Sequence, residues 1–310
     1  MSGLRSRAKN GRVQSDPPLD QRELERAQRR SGRRDAGVRA ALILPAVAWL
    51  VPFFLWPLAK VITRSVTDPQ FGLDNYSAVL GSEAVGVVMM TTLRIALGTT
   101  ALCLVLGLPY AHYVSRSSPR RAKLLILVST APLWTIAIVR LYAWTVILGR
   151  RGLVNETLLS LNLIDRPLEL MFNEAAVIVG MTHLMLPFMI LVLAAGLKNV
   201  DHELMAASST LGASRVQTLL RVYLPLVRPS LVTGCILVFV ISLGFYITPA
   251  ILGGGPTITV SIYIERLVAL IQWGRASAVS TVLLAVTLLL VLLADRIFGV
   301  RHALVGGSRR

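Results

Sequence analysis

The sequence predicts an all-α integral membrane protein with six membrane-spanning helices. Hydrophobic residues make up 54% of the 310 residues, charged residues make up 15%, and the mean hydropathy is +0.65. A soluble domain typically carries about a quarter charged residues. Six apolar segments reach the length of about 20 residues that a helix needs to cross a bilayer. Lysine and arginine concentrate in alternate connecting segments, as expected for a chain that crosses the membrane repeatedly.

Each predicted span is an apolar stretch with little or no formal charge. The six spans lie at about 40–62, 88–115, 124–148, 175–197, 229–252 and 276–298, within a membrane domain at 39–298. Pro229 suits the start of the fifth span, because the first N–H groups of a helix have no partner inside it. That span is expected to end near Leu252, before Gly253-Gly254-Gly255-Pro256, because proline costs about 3 kcal/mol in a helix interior. Residues 256–275 would then form an outside segment with a short helix.

The distribution of basic residues predicts that both termini lie in the cytoplasm. Residues 22–39, 116–123 and 198–228 are rich in lysine and arginine, and they share one side of the membrane if the N-terminus is inside. This topology, together with attraction to anionic membrane lipid, accounts for the net charge of +16, so no nucleic-acid partner is needed. Residues 1–38 are polar and arginine-rich and are expected to form a disordered tail, and residues 299–310 a second cytoplasmic tail.

Patterns that would indicate an enzyme or a metal site are absent from the sequence. It contains no G-x-x-x-x-G-K-[ST] loop for ATP, no H-E-x-x-H zinc helix and no G-x-S-x-G nucleophile motif. Cys103 and Cys235 lie in apolar runs, which is typical of small buried hydrophobic residues. The spans also lack the deep carboxylates and the repeated halves of a self-sufficient secondary transporter, which is therefore the less favoured alternative. We expect no catalytic residue, no metal and no cofactor on this chain.

The connection at 199–228, between the fourth and fifth spans, is predicted to be folded rather than a flexible linker. Asp201 can cap a short helix that has Glu203 in its first turn. Gly212 can adopt the left-handed conformation that ends a helix, and Ser214 begins an S-x-x-Q capping box for a second helix. The residues that define the apolar face and the end of the second helix are Val216, Leu219, Leu220, Tyr223 and Leu224-Pro225. Such an element suits docking to another protein, and a helix lying on the lipid surface is the alternative.

The residues of this connection resemble the EAA loop of ABC-transporter permease subunits, whose signature is E-A-A-x-x-x-G, nine further residues and I-x-L-P. Gly212, Leu224 and Pro225 fall in register, and Val222 replaces the isoleucine. Ala206 occupies the usual glutamate position, and Ser208 that of the second alanine. The residues that the resemblance implies for coupling to an ATPase are Glu203, Ala206, Ala207, Gly212, Leu219, Leu224 and Pro225.

Other segments are similar to the spermidine/putrescine-type subfamily of these permeases. The matching segments are Phe71-Gly72-Leu73-Asp74-Asn75-Tyr76, Leu133-Trp134, Arg140-Leu141-Tyr142-Ala143-Trp144 and Arg151-Gly152-Leu153-Val154-Asn155. The resemblance covers roughly residues 40–298. It implies the six-helix importer-permease (MetI-like) core with both termini cytoplasmic, which agrees with the topology derived from charge.

The resemblance implies a subunit of an ABC importer in a prokaryotic inner membrane. A separate ATPase dimer would bind ATP and Mg²⁺, a sister permease would complete the pathway, and an extracytoplasmic solute-binding protein would deliver the solute. Polyamine is the substrate that the subfamily implies. Permeases of the same family for iron, an opine or a sugar acid remain the alternative.

Candidate residues for the solute pathway are the polar and aromatic groups of the third, fourth and fifth spans. They are Arg140, Tyr142, Trp144, His183, Phe245, Tyr246 and Thr248. Aromatic residues also collect at membrane interfaces for reasons unrelated to transport. Lys60, Arg94 and Arg140 lie near span ends, where long basic side chains can reach the lipid headgroups. The sequence leaves both roles open.

Overall fold

A computed structural model describes residues 21–198, 200, 204, 207–208 and 210–298. Every regular element in these ranges is helical. The chain divides into two compact units, residues 1–60 and residues 61–310.

Helix α1 (Gln21–Thr67) begins inside the segment that was predicted to be a disordered tail. The sequence after Gln21 is rich in glutamate, arginine, glutamine and alanine, which are good helix formers. Its apolar part, Val47–Thr67, is long and apolar enough to cross a membrane. Within the first unit, Trp49 stacks on Phe53 with ring centroids 4.4 Å apart, and the Lys60 ammonium lies 5.6 Å from the centre of the Trp56 ring.

The second unit contains the remaining helices. They are α2 (Asp74–Leu80), α3 (Glu83–Ser115), α4 (Pro119–Thr130), α5 (Ala137–Leu148), α6 (Leu153–Ser160), α7 (Glu174–Leu197), α8 (Arg215–Thr218), α9 (Leu224–Leu243), α10 (Val260–Ala269) and α11 (Trp273–Phe298). Among the described residues, five helices pass the length and hydropathy requirements for a span, and there are six if the bent pair formed from α4 to α6 counts as one span. The predicted all-α membrane fold is confirmed, with five to six apolar spans.

The core of the second unit forms where α3, α7 and α9 pack together. Met189 of α7 is fully buried between two glycines. A Cβ atom at Gly107 of α3 would lie 3.0 Å from Met189 Cγ, and one at Gly234 of α9 would lie 2.8 Å from Met189 Sδ. Two glycines therefore let both neighbouring helices approach α7 around one side chain, as is typical of helix contacts inside membranes.

The third predicted span, 124–148, is not one straight helix. Helix α4 ends at Thr130, a short 3₁₀ segment follows over Ala131–Trp134, and Thr135 is extended before α5 begins. The two halves are bent by 92°. Pro132 provides the physical reason, because it lacks the N–H that would continue the α-helical hydrogen bonds from α4.

The fifth span also differs from its predicted bounds of 229–252. Helix α9 begins at Leu224 and ends at Leu243, where Gly244 follows. A separate π-helical turn then covers Pro249–Gly253. Glycine is a poor helix former, so the helix ends at Gly244, before the later glycine run. Pro249 lies in the first turn of the π-helical segment, where its missing N–H is tolerated.

Buried polar side chains hold the connections between helices in place at one end of the bundle. This end lies opposite residues 207–218. Asn75 donates hydrogen bonds to the carbonyls of Ser65 and Asp68, at 3.0 and 2.7 Å, and Tyr76 Oη lies 2.6 Å from Ser65 Oγ. Fully buried Asn155 bonds to the backbone of Gly149 and Leu168. The asparagines and the tyrosine of the matching segments thus hold connections between helices in place.

A close contact between α7 and α9 gives a test of this packing. A methyl group at Gly196 would overlap both Oγ and Cβ of Ser230. We expect Gly196→Ala to lower the free energy of unfolding in detergent by about 1–3 kcal/mol, the usual cost of overpacking. Adding Ser230→Gly should restore the thermal stability of the parent, because it removes the overlapping atoms.

Gly86 provides the matched control, since a Cβ there would meet no atom within 4 Å in the part of the chain that the structure describes. Gly86→Ala should leave the melting temperature unchanged or raise it slightly. A Gly196→Ala protein as stable as the parent would show that α7 and α9 are not in close contact.

Candidate functional site

The first part of the candidate coupling loop ends in the glycine conformation that the sequence predicts. The described residues of this part, 204, 207–208 and 210, are helical. Gly212 has φ of +83°, and the Ala213 N–H donates to the Ser208 carbonyl at 3.1 Å. This geometry matches a Schellman helix end, in which the residue after a left-handed glycine bonds back across the last turn.

The second part of the loop begins with the predicted capping box, which is confirmed. The Ser214 N–H donates to Gln217 Oε1 at 3.0 Å, and the Gln217 N–H donates to Ser214 Oγ at 3.3 Å. These bonds satisfy backbone groups at the start of α8 that would otherwise have no partner. Ser208 and Thr218 hydroxyls, 2.9 Å apart, connect the two parts of the loop.

The loop continues into α9 without the break that was predicted at Leu224-Pro225. A π-helical segment, Leu219–Tyr223, joins α8 directly to α9. Pro225 falls in the first turn of α9, a position where a missing N–H is tolerated. The end of the loop is therefore a rigid extension of the fifth span.

Several leucines of the loop are exposed, in agreement with a docking function. Leu211 is 87% exposed, and Leu204, Leu220 and Leu224 are also exposed. The predicted apolar face is wrong in one respect, because Tyr223 is only 7% exposed and packs into the bundle. Of the other coupling candidates, Ala207 is exposed and helical, whereas Glu203 and Ala206 lie outside the described residues, as does the predicted cap Asp201. Only the backbone of Leu219 is described.

Three of the seven pathway candidates come together between α5 and α7. Trp144 Nε1 donates to His183 Nδ1 at 3.0 Å, with the two rings edge to face. Arg140 precedes Trp144 by one helical turn of α5, on the same side of that helix. Arg140 Nε and Nη1 are buried and have no hydrogen-bond partner among the described residues.

A cavity of about 490 Å³ lies beside this cluster. Its polar or aromatic lining residues are Tyr110, Ser129, Trp144, Thr182 and His183, and the rest of its wall is apolar. The lining residues include no carboxylate. The site therefore offers aromatic faces and neutral polar groups to a solute.

The structure does not bring the other four pathway candidates into this cluster. Tyr142 and Tyr246 are exposed side chains outside the cavity lining. Phe245 is half-buried against the hydrophobic core. Thr248 is fully buried, its hydroxyl has no hydrogen-bond partner among the described residues, and a Cβ at Gly180 would lie 3.1 Å from its methyl group.

Sequence reasoning missed two contacts that connect helices. Arg94 of α3 binds Glu174 of α7 through two hydrogen bonds, Nη2–Oε1 at 2.7 Å and Nε–Oε2 at 3.2 Å. His112 Nδ1 and Tyr223 Oη, at the other end of α3, are 2.5 Å apart. A carboxylate and an arginine near span ends could have suggested the first pair, since intramembrane charges usually pair; the second has no sequence signal.

Comparison with known proteins gives a consistent result. Residues 38–302 match the family described as binding-protein-dependent transport system inner membrane component. The chain is 33% identical over 260 residues to the spermidine/putrescine transport system permease protein PotB of Escherichia coli (strain K12), covering 81% of this chain and 94% of that protein. It is 31% identical over 260 residues to the molybdenum transport system permease protein ModB of Mycobacterium bovis, covering 80% and 90%.

A solved structure has the same fold. A chain from the crystal structure of a bacterial alginate ABC transporter in complex with alginate pentasaccharide-bound periplasmic protein matches with a TM-score of 0.70 at 20% identity. The match covers 86% of this chain and 96% of that chain.

Gly212 gives a test of whether the loop must keep its shape. Proline fixes φ near −65°, and a branched side chain in the left-handed region costs roughly 1–2 kcal/mol. We expect Gly212→Pro and Gly212→Val to insert into the membrane normally but to lose ATP-dependent solute uptake. Membrane fractionation and uptake assays measure the two effects.

The control is Gly212→Asn, because asparagine tolerates the left-handed conformation. No atom of the described residues lies within 4 Å of a Cβ at this position, so the variants differ chiefly in the backbone conformation that they allow. Parental uptake by Gly212→Pro would refute the requirement for this bend.

Proposed function

Because the chain belongs to the binding-protein-dependent inner-membrane component family and is a permease subunit of an ABC importer, we propose that it imports a polyamine and couples to its ATPase through residues 199–228. The observation that carries the coupling proposal is the capped loop that runs without a break into α9. A rigid element can pass on a displacement, whereas a flexible linker would absorb it. Its exposed leucines offer an apolar surface to a partner.

The proposed assembly contains two ATPase subunits and two permeases. One chain supplies one coupling loop, so a dimer of ATPase subunits requires a second permease, for which we propose a sister chain. A solute-binding protein delivers the solute at the opposite face of the membrane. Both termini are proposed to be cytoplasmic, since the segments at 116–123 and 198–228 are rich in lysine and arginine and would then lie inside.

Three observations support a polyamine as the solute. The relative in Escherichia coli is named for spermidine and putrescine, at 33% identity. The cavity beside Trp144 presents aromatic faces, which attract organic cations. Carboxylates of the proposed outer segments would attract cations towards the entrance; they are Asp68, Asp74, Glu83, Glu156, Asp165, Glu169 and Glu265.

One observation favours a second candidate, an anionic solute such as an oxyanion or a sugar acid. Arg140 carries buried, unbonded N–H groups beside the cavity wall formed by Trp144 and His183. A guanidinium with open donor positions suits an oxyanion or a carboxylate. The relative in Mycobacterium bovis is named for molybdenum transport, at 31% identity.

Purification of the intact complex tests the proposed function. The tagged chain is extracted from native membranes in mild detergent, co-purifying chains are identified by mass spectrometry, and the complex is placed in proteoliposomes. We expect an ATPase subunit, a second permease and a binding protein, and ATP-dependent uptake of labelled spermidine. A chain that purifies alone and transports without ATP would make a secondary transporter the correct function.

Replacing Arg140 separates the two solute classes. If the solute is a polyamine, Arg140→Gln removes a repelling charge and should leave spermidine uptake equal or increased. If the solute is an anion, the same change removes a charged hydrogen-bond donor and should reduce uptake of molybdate or a sugar acid by about tenfold or more. Arg166→Gln, in an exposed connection, is the control and should change neither.

A further inference from the structure

A partly buried contact connects the candidate coupling loop to a helix that is distant in the sequence. Tyr223 Oη lies 2.5 Å from His112 Nδ1, and the two rings meet edge to face with centroids 5.2 Å apart. Tyr223 is the last residue of the π-helical segment, and His112 is in the last turn of α3. Both atoms sit where the loop enters the bundle.

The contact completes a continuous path from the loop to α3. Ser208, in the first part of the loop, bonds to Thr218 at the end of α8. The π-helical segment then leads along the backbone from Thr218 to Tyr223, whose hydroxyl reaches His112. Helix α9 is covalently continuous with this path, but α3 can follow a movement of the loop only through side-chain contacts.

The end of α3 is also suited to bending. Pro109 lies in α3 one turn before His112, and a proline inside a helix removes one backbone hydrogen bond and weakens it at that point. Gly107, before Pro109, packs against Met189 of α7, and Ala111 and Val114, after it, lie in the same hydrophobic core as Tyr223. A displacement of Tyr223 can therefore reach the last turn of α3 through His112 and this packing, at a point where Pro109 weakens the helix.

We propose that Tyr223 and His112 are a positioning pair that passes movement of the coupling loop to the end of α3. This inference rests on the proposed coupling function and adds to it two residues outside the predicted set of coupling residues. The pair holds the geometry between loop and bundle and touches neither ATP nor solute. Loss of the pair uncouples ATP hydrolysis from transport, while the ATPase stays bound to the permease.

The test compares variants of the complete complex in proteoliposomes, with labelled spermidine as the probe. Tyr223→Phe removes the hydroxyl and keeps the ring. We expect ATP hydrolysis to continue and spermidine uptake to fall by about fivefold, the effect of one buried hydrogen bond, so that more ATP is hydrolysed per solute imported. His112→Leu should have the same effect, and the double variant should be no worse than either single one, because both remove the same contact.

Rescue distinguishes positioning from simple packing. His112→Asn keeps a polar atom near the place of Nδ1 and should retain most of the uptake that His112→Leu loses. Tyr113→Phe changes an exposed tyrosine next in sequence to His112 and is the control. It should keep the parental ratio of ATP hydrolysed to solute imported.

A second measurement does not depend on the identity of the solute. Hydrogen exchange is followed at residues 110–116 and 207–223 of the complex, with and without ATP. In the parent, ATP should change the rate of hydrogen exchange in both segments. In Tyr223→Phe, ATP should change it only in residues 207–223. An unchanged response at 110–116 in Tyr223→Phe would overturn the inference, as would equal losses of ATP hydrolysis, ATPase binding and uptake.

Measurements on the parent complex distinguish a failure of this inference from a failure of the proposed function. A parent that binds no ATPase overturns the coupling function together with the inference. A parent that imports spermidine with ATP, while Tyr223→Phe keeps the parental ratio and exchange response, overturns the inference alone. A parent that couples to ATP in the exchange experiment but imports no spermidine overturns only the polyamine assignment.

Discussion

The close approach of α3, α7 and α9 is the constraint on which the second unit depends. Lipid tails are as apolar as leucine, so helices gain little by hiding apolar side chains from lipid and must gain by close packing instead. Met189 fills the space between Gly107 and Gly234, and neither glycine can carry a side chain without moving it. The shapes of these side chains therefore fix the position of α7 between its two neighbours. This packing in turn determines where the functional groups on the three helices lie.

This packing also sets the ends of the coupling loop. Helix α7 ends at Leu197 and α9 begins at Leu224, and the contact of Gly196 with Ser230 keeps the two ends together. Among the residues described between these ends, the Gly212 helix end and the Ser214 capping box satisfy backbone groups. From Arg215 onward the loop is helical and continuous with α9. That property makes it suitable for transmitting force.

Local signals in the sequence were sufficient where neighbouring residues decide the structure. The left-handed Gly212 and the bonds between Ser214 and Gln217 involve residues within four positions of each other, so their types alone predict them. The bend at Pro132 was missed because hydropathy continues through it, and apolarity is the same on both sides of a broken helix. Arg94 and Glu174 are far apart in the sequence and meet only because α3 and α7 run in parallel. The cluster of Arg140, Trp144 and His183 likewise needed the bent span to place α5 against α7.

Arg94 and Arg140 then have different chemistry for a structural reason. Arg94 is neutralised within the chain, since Glu174 occupies it with two hydrogen bonds, and it contributes to the attachment of α3 to α7. Arg140 has no such carboxylate among the described side chains, although burying an uncompensated charge is costly. Compensation of this charge therefore comes from outside the described side chains, and water, a solute or the proposed sister permease could each provide it. The proposed solute class depends on which of these lies against Arg140.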